Sequence, residues 1–295
     1  MPTTIRLGFH SNNPTLLALS TSGILETKLQ GRGVEVEWFN VPGGARTVDY
    51  IGADIIDVGG TGATPPITAQ AKGVPLVYIA SSESRPVGGI LVREDGAIRN
   101  AADLRGKRVA LGVGSWHQHL LATALDRANL AWYEIVPLDL PEPLAIKALQ
   151  AGGIDAWATG EDNPQTIRGL RFIVRTQELI GNPSVFFARR GFAEQNPALL
   201  QIVVESLDAA DRWIEHNPAE AGRKLAAVAR NHLDAQAWEA HVRSRPWGLV
   251  AIDNLFLDQQ QRAADLFHRF GLLPRKVNVR EATLARPLAA ARRAA

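Results

Sequence analysis

Short apolar segments recur along the first two thirds of the chain, and each is followed by a segment in which apolar residues recur at helical spacing. This alternation is typical of proteins in which helices cover the faces of a mostly parallel sheet. We therefore predict the α/β class. The predicted strands are residues 5–9, 34–40, 55–58, 76–80, 89–93, 108–111, 135–137, 154–158, 171–174 and 184–188.

From Pro197 onward the pattern becomes helical, because apolar residues fall at spacings of three and four and form one face. Helix starts are also predicted where a capping residue precedes a proline, and at Ser115, which Gln118 follows after three residues as in a capping box. Asn217 and Glu220 have the same spacing. The predicted apolar face is Leu199, Leu200, Val203, Leu207, Ala210, Trp213 and Ile214, and the predicted N-caps are Asn13, Thr64, Ser115, Asn196 and Asn217.

Composition excludes several classes of function. The 295 residues predict about two domains, and a net charge of +2 with interspersed signs gives no support for nucleic-acid binding. With no cysteine, there is no disulfide, no thiolate nucleophile and no Cys-based zinc site. The chain enters a strand pattern at once, so we expect a periplasmic protein whose signal peptide was removed, or else a cytoplasmic protein.

One short internal echo bears on the architecture. Asp57, in the sequence Ile-Asp-Val-Gly, and Asp155, in Ile-Asp-Ala-Trp, each lie in a predicted strand that follows a helical segment. We interpret this as two similar lobes, each a sheet wrapped by helices, although the match is too short to prove duplication.

Three glycine-containing loops, residues 42–46, 59–66 and 112–117, lie between a predicted strand and a predicted helix. In open α/β sheets ligands bind at such places, where helix N-termini offer free N–H groups to an anion. Each loop alone is a weak signal, because glycine loops before helices are mostly plain turns, but the convergence of three strengthens the case for a binding site. Their candidate ligand-binding residues are Gly43, Gly44, Arg46, Thr61, Gly62, Gly114, Ser115, Trp116 and His117.

Other polar residues were weighed for catalysis and metal binding. His10 ends the first strand, where a ligand contact and an ordinary loop histidine are equally consistent with the pattern; His117 and His119 point about 200° apart on a helix and cannot share a metal. Ser115 lacks the Gly-x-Ser-x-Gly setting of a nucleophile. We therefore predict a binding protein rather than an enzyme, with no cofactor and no metal. Asn12, Arg85, Glu161, Asp162 and Trp247 complete the candidate ligand-binding set.

Six segments together resemble the solute-binding proteins of ATP-binding-cassette (ABC) importers for aliphatic sulfonates, within the nitrate, sulfonate and taurine-binding group. The most specific is Gly-Thr-Gly-Ala-Thr-Pro-Pro at residues 60–66, and the order and spacing of all six match over nearly the whole chain. The segments are residues 60–71, 76–78, 102–110, 114–115, 154–158 and 272–277.

The resemblance implies a type II periplasmic-binding-protein fold, with two α/β lobes joined by two crossing strands, near 87–91 and 183–187, and a ligand cleft between them. Lobe I would comprise residues 1–87 and 188–295, and lobe II residues 88–187. It also implies a monomer that delivers a small organosulfonate to an ABC importer membrane permease, and that hydroxyls, backbone amides and helix N-termini hold the anionic head. The alternatives are an enzyme of the same fold, although those known to us rely on cysteine, or a binder of nitrate, a sulfate ester or a carboxylate.

The chain departs from the family where relatives have a Trp-Asp-Pro-Tyr type of sequence, since residues 159–164 read Thr-Gly-Glu-Asp-Asn-Pro. An aromatic wall is therefore missing there, and Trp116 and Trp247 are the expected replacements. Glu161 and Asp162 predict a preference for a zwitterionic sulfonate over a plain alkanesulfonate. The alternative is that both carboxylates are solvated outside the cleft.

Overall fold

Strands and helices alternate through residues 3–229, 233–286 and 288–289, which are the residues that the computed structural model describes. The strands are β1 (Thr3–Phe9), β2 (Val34–Asn40), β3 (Val58–Gly62), β4 (Leu76–Ser82), β5 (Gly89–Arg93), β6 (Arg108–Leu111), β7 (Val136–Asp139), β8 (Ala156–Thr159), β9 (Leu170–Arg175), β10 (Ser184–Arg189) and β11 (Leu249–Val250). The helices are α1 (Pro14–Ser22), α2 (Ile24–Leu29), α3 (Gly44–Gly52), α4 (Thr64–Ala71), α5 (Trp116–Arg127), α6 (Glu142–Gln150), α7 (Thr176–Leu179), α8 (Arg190–Gln195), α9 (Pro197–His216), α10 (Pro218–Val228), α11 (Ala235–Arg243) and α12 (Asn254–Arg269).

The chain divides into two compact units. Unit 1 contains Met1–Ser84, Pro183–Gln261 and Val277–Ala295, and unit 2 contains Arg85–Asn182 and Arg262–Lys276. Relative to the expected lobe ranges, the chain passes between units a few residues earlier, at Ser84 and Asn182, and residues 262–276 belong to unit 2. The last difference arises because Phe267 and Arg269, late in α12, contact His119 and Asp126 of α5.

Unit 1 is built on a six-stranded sheet in the order β11-β4-β10-β3-β1-β2, in which β1 pairs in parallel with β2 and β3. Strand β10 is antiparallel to both β3 and β4, so β3 and β4 run in the same direction. Side chains of β1 such as Ile5 and Leu7 pack with α1 and α9 in one buried core. The predicted apolar face of α9 is buried as expected, except that Trp213 is only half-buried.

Unit 2 is built on a five-stranded sheet in the order β7-β6-β8-β5-β9. Strand β6 pairs in parallel with β7 and β8, while β5 is antiparallel to β8 and β9. Leu120, Leu121 and Leu125 of α5 pack on one core of this sheet, and Ala145 and Leu149 of α6 pack on another. The α/β class and the two sheets are thus confirmed.

A strand occurs in each of the ten predicted regions, but β3, β7 and β8 are displaced toward the C-terminus. Strand β3 occupies Val58–Gly62 instead of residues 55–58, so the first half of the presumed glycine loop is strand, and its last three residues belong to α4. A Cβ atom on Gly60 would lie 2.7 Å from Cδ1 of Phe186 on the neighbouring strand, which shows that the glycine makes room for the core. The two-residue strand β11 was not predicted.

The predicted helix caps had mixed outcomes. Asn13 and Ser115 each accept a hydrogen bond from a first-turn N–H and are confirmed. Helices α9 and α10 begin directly after Asn196 and Asn217, as predicted, but neither side chain makes a cap hydrogen bond, because each side-chain amide donates to a carbonyl four residues earlier. Thr64 lies within α4 and makes no cap bond.

The echoed aspartates make the same contact in both units. Asp57 accepts hydrogen bonds from the N–H, Nε and Nη2 of Arg6 at 3.0, 2.9 and 2.8 Å. Asp155 accepts hydrogen bonds from the same three groups of Arg108, its N–H, Nε and Nη2, at 2.8, 3.0 and 3.1 Å. In each unit the carboxylate precedes a strand and the arginine lies on the parallel strand beside it, so we call this contact the strand clamp.

The two clamps differ in burial, which predicts a difference in stability. Asp57 is 1% exposed and also binds Arg189 at 2.8 Å, whereas the Asp155 side chain is 27% exposed. Asp57→Asn should cost about 3–5 kcal/mol, the usual effect of removing one partner of a buried ion pair. Asp155→Asn should cost clearly less because water screens its pair. Urea unfolding of both variants measures this, and equal losses would contradict the role of burial.

The same pair predicts a pH effect. Burial acts to raise the pKa of Asp57, but the hydrogen bonds from Arg6 and Arg189 outweigh it and hold that pKa below its usual value. Its stabilisation is therefore complete above the unfolded pKa of about 3.9 and is lost as the pH falls below that value. The advantage of the wild type over Asp57→Asn should shrink in that range.

Candidate functional site

In unit 1 the candidate residues gather where β1, β2 and β3 end and helices α1, α3 and α4 begin. Since these strands are parallel, their carboxyl ends lie at one edge of the sheet, which is where ligands bind in open α/β sheets. We call this edge of unit 1 the donor edge.

His10 links the loops of the donor edge. Its Nδ1 accepts the N–H of Asn12 at 3.2 Å, and its Nε2–H donates to the carbonyl of Gly60 at 3.0 Å. These two bonds require the neutral tautomer that carries its proton on Nε2. A Cβ atom on Gly44 would lie 3.3 Å from this ring and 3.8 Å from Cβ of Thr61, so His10, Gly44 and Thr61 are brought together.

The donor edge contains polar atoms without partners. The Nδ2 of Asn13, the Oγ1 of Thr47 and the Oγ1 of Thr64 are buried and make no hydrogen bond among the described residues. The Oγ1–H of Thr61 donates to the carbonyl of Gly62 at 2.7 Å. Unpaired buried polar groups are costly, so these positions favour the binding of a ligand that supplies oxygen atoms. Sequence reasoning did not include Asn13 among the candidate binding residues, although its place before Pro14 marked the loop.

Four expected contact residues of unit 1 are not assembled with this group. Asn12 is exposed, and its N–H is used by His10. Arg46 is exposed and pairs with Asp49 at 3.2 Å, while Gly43 has open space around it. Trp247 is 2% exposed, packs in the core that contains Leu17, and donates its indole N–H to a backbone carbonyl. The structure therefore corrects the expectation that Trp247 offers a surface to the ligand tail.

In unit 2 the candidates cluster at the start of α5. The Oγ–H of Ser115 donates to the carbonyl of Gly112 at 2.7 Å, and the same oxygen accepts the N–H of His117 at 3.2 Å. Gly114 has a φ of +76°, which favours glycine, and its N–H donates to Gln118. The expected capping box is therefore incomplete, because Gln118 binds Gly114 rather than Ser115.

Trp116 and His117 form an aromatic pair beside the end of β8. Their ring centroids are 4.2 Å apart, and a Cβ atom on Gly160 would lie 3.2 Å from the Trp116 ring. Burial, assisted by the charge of Arg85, lowers the pKa of His117 to about 4, so this ring is neutral at pH 7. Arg85 itself is bound by Asn182 through Nε at 2.9 Å and Nη2 at 3.0 Å.

The carboxylate pairing in unit 2 differs from the expected one. Glu161 accepts the N–H of Asn163 at 2.8 Å, and Asp162 is exposed. Glu142 is exposed, but partial desolvation of its carboxyl raises its pKa, and the charge of Glu161 raises that pKa further. Glu142 opens α6, and its place after Pro141 at the end of β7 was the signal that sequence reasoning missed.

Two further features concern metal binding and membrane insertion. The described residues contain no group of three or more His, Cys, Asp or Glu side chains that could hold a metal ion. None of the described helices combines the length and the apolar content needed to cross a membrane.

These features, two α/β units with polar groups at the carboxyl ends of parallel strands, define the class of periplasmic binding proteins. The model of the NMT1/THI5 like family matches residues 29–221, and the chain belongs to that family. The chain is similar to the periplasmic aliphatic sulphonate binding protein SsuA of Escherichia coli, with 30% identity and a TM-score of 0.85. The match covers 96% of this chain and 98% of the SsuA chain.

Two further proteins are also similar. The alkanesulfonate-binding protein SsuA of Xanthomonas axonopodis pv. citri, solved bound to MOPS, has 29% identity, a TM-score of 0.81 and coverage of 96% and 98%. The taurine-binding periplasmic protein of Escherichia coli (strain K12) is 25% identical over 79% of this chain and 73% of its own. The similar proteins named here are all binding proteins.

The two histidines of α5, which are half-buried, predict a pH dependence of stability. Burial lowers the pKa of His119 to about 4, as for His117, while an unfolded histidine has a pKa of about 6.5. Between these values the unfolded state binds more protons, so stability should fall as the pH drops from 6.5 to 4. Thermal unfolding across this range measures the slope.

Two variants show whether the two histidine rings cause this fall in stability. His119→Gln should flatten the slope, and replacement of the exposed His216 by Gln should leave it unchanged. An unaltered slope in His119→Gln would contradict the assignment.

Proposed function

We propose that this protein is the solute-binding component of an ABC importer and that it binds one small organosulfonate without converting it. The observation that carries the proposal is the group of neutral donors at the donor edge, together with similarity over 96% of the chain to proteins that bind sulfonates. A sulfonate has three acceptor oxygens and one charge, so hydroxyl, amide and helix N-terminal N–H groups suffice to hold it.

Each unit supplies its own candidate donors. In unit 1 we assign Asn13, Thr61, Gly62 and Thr64 to the anionic oxygens, with His10 holding their loops in place. In unit 2 we assign Ser115 and the first turn of α5. Both sets lie at the starts of helices, where backbone N–H groups favour a negative charge.

The proposed partner is the membrane permease of the importer, and the proposed location is the periplasm. Both proposals rest on the similar periplasmic proteins. We expect a monomer.

Binding is tested by a thermal-shift and calorimetric panel of MOPS, taurine, ethanesulfonate, nitrate, a sulfate ester and a carboxylate. At 100 times its Kd, a ligand of the native state stabilises it by about 2.7 kcal/mol. Binding of a carboxylate without any sulfonate would overturn the ligand class, and release of sulfite would overturn the absence of turnover.

Ser115→Ala tests the contribution of unit 2. Loss of a donor to a charged group should weaken the affinity for a sulfonate by about 1–3 kcal/mol. Asp234 caps α11 as Ser115 caps α5, so Asp234→Ala loses a cap and should bind normally. Equal affinity in Ser115→Ala and the wild type would place the head group elsewhere.

We assign recognition of the ligand tail to the glutamates of unit 2. Glu161 and Glu142 would attract a cationic tail, an effect of about 1 kcal/mol at 4 Å in water and larger when desolvated. MOPS should therefore bind better than ethanesulfonate, and this preference should shrink in Glu142→Gln and in the double variant Glu161→Gln with Asp162→Asn.

The control is Asp95→Asn, since the Asp95 side chain is 87% exposed. An unchanged preference in the glutamate variants would mean that these carboxylates take no part in choosing the tail.

A further inference from the structure

Arg245 is a buried cation whose donors are unused. It lies between α11 and β11 and is 5% exposed. Its Nε, Nη1 and Nη2 make no hydrogen bond among the described residues. Burying a charged group without hydrogen bonds is strongly unfavourable, so this side chain requires an acceptor that none of the described residues supplies.

Trp247 and Asp211 lie near the Arg245 guanidinium, whose three nitrogen atoms are buried. The Trp247 ring lies 4.3 Å from its Cζ and covers one face, and a stacked guanidinium still presents its N–H groups in the plane. Burial lowers the pKa of Arg245 to about 10, with the charge of Asp211 acting against that shift, so it remains a cation at pH 7.

Asp211 balances this charge without occupying the donors. Its Oδ1 accepts the hydroxyl of Thr15 at 2.5 Å, and its Oδ2 accepts the N–H of Gly248 at 3.2 Å. The other carboxylate of α9 that lies nearby in sequence, Asp208, binds Arg212 at 2.6 Å. Arg245 therefore needs acceptor atoms more than it needs a full compensating charge.

The position of Arg245 connects it with the donor edge. Leu249 of β11 pairs with Ser82 at the carboxyl end of β4. Strands β4 and β3 run in the same direction, so the segment before Leu249 lies at the edge where β3 also ends. Thr15, which binds Asp211, is in the first turn of α1, directly after the loop of His10 and Asn13.

We propose that Arg245 binds the anionic oxygens of the sulfonate through the edge of its guanidinium, an inference that rests on the proposed function. Arg245 then supplies the selectivity for charge that neutral donors lack, because a fork of N–H groups matches two oxygens of one head group. Since Asp211 already compensates part of the charge, the pair favours a monoanion over a dianion.

The test compares variants by calorimetry with ethanesulfonate, with the neutral ethanesulfonamide, and with ethylphosphonate at pH 8.5 as the dianion. Wild type should prefer ethanesulfonate. Arg245→Gln should weaken ethanesulfonate binding by about 100-fold and lose the preference over the sulfonamide, while Arg245→Lys should lose less because it keeps the charge. The control is Arg243→Gln, two residues away, where the arginine is exposed and pairs with Glu239 at 2.7 Å.

The outcomes separate this inference from the proposed function. Wild type that binds no sulfonate overturns both, whereas normal selectivity in folded Arg245→Gln overturns the inference alone. If the variants do not fold, a crystal structure of wild type with 2-bromoethanesulfonate decides, because bromine locates the ligand. Sulfonate oxygens within about 3 Å of the guanidinium support the inference; a water molecule alone on Arg245 overturns it.

Discussion

The alignment of parallel strand ends depends on the strand clamp. In unit 1 the residue after Arg6 pairs with the residue after Asp57, Leu7 with Val58, and in unit 2 the equivalent pair is Val109 with Ala156. Because the carboxylate binds both the backbone N–H and the guanidinium, a slip of the strand would break three hydrogen bonds at once. The register of the parallel strands is therefore fixed, and so is the position at which each following loop begins.

Close packing at the donor edge is the second constraint. Strand β3 carries glycines at 59 and 60 because Thr47, Phe186 and Leu16 occupy the space where side chains would stand. The glycines were predicted to shape a ligand loop, whereas they mainly let the sheet core approach β3. Gly44 likewise permits a close approach, since the absence of a side chain lets α3 lie against His10.

Much of the fold could be predicted from the sequence, because strand periodicity and the Asp57 and Asp155 echo are local patterns that directly reflect burial and register. The site was predicted less completely. Whether Trp247 faces a ligand or a helical core depends on which helices cover it. Whether the carboxylate that acts together with Glu161 is Asp162 or Glu142 depends on the neighbouring strand. Neither of these two arrangements is encoded within a few residues of sequence. The unused donors of Arg245 become evident only when the neighbours of its side chain in the fold are known.

The chemistry of the site follows from the way in which charge is distributed in unit 1. His10 is neutral, Asn13 and Thr64 are neutral donors, and the buried cation Arg245 is offset by Asp211. A site with a large excess of positive charge would bind phosphates and other dianions at least as strongly as monoanions. Near-neutral surroundings bind instead by hydrogen-bond geometry, so selectivity depends on the number and direction of ligand oxygens. For a protein that must later release its ligand to a partner, this arrangement gives specificity without the strong Coulomb attraction that would slow dissociation.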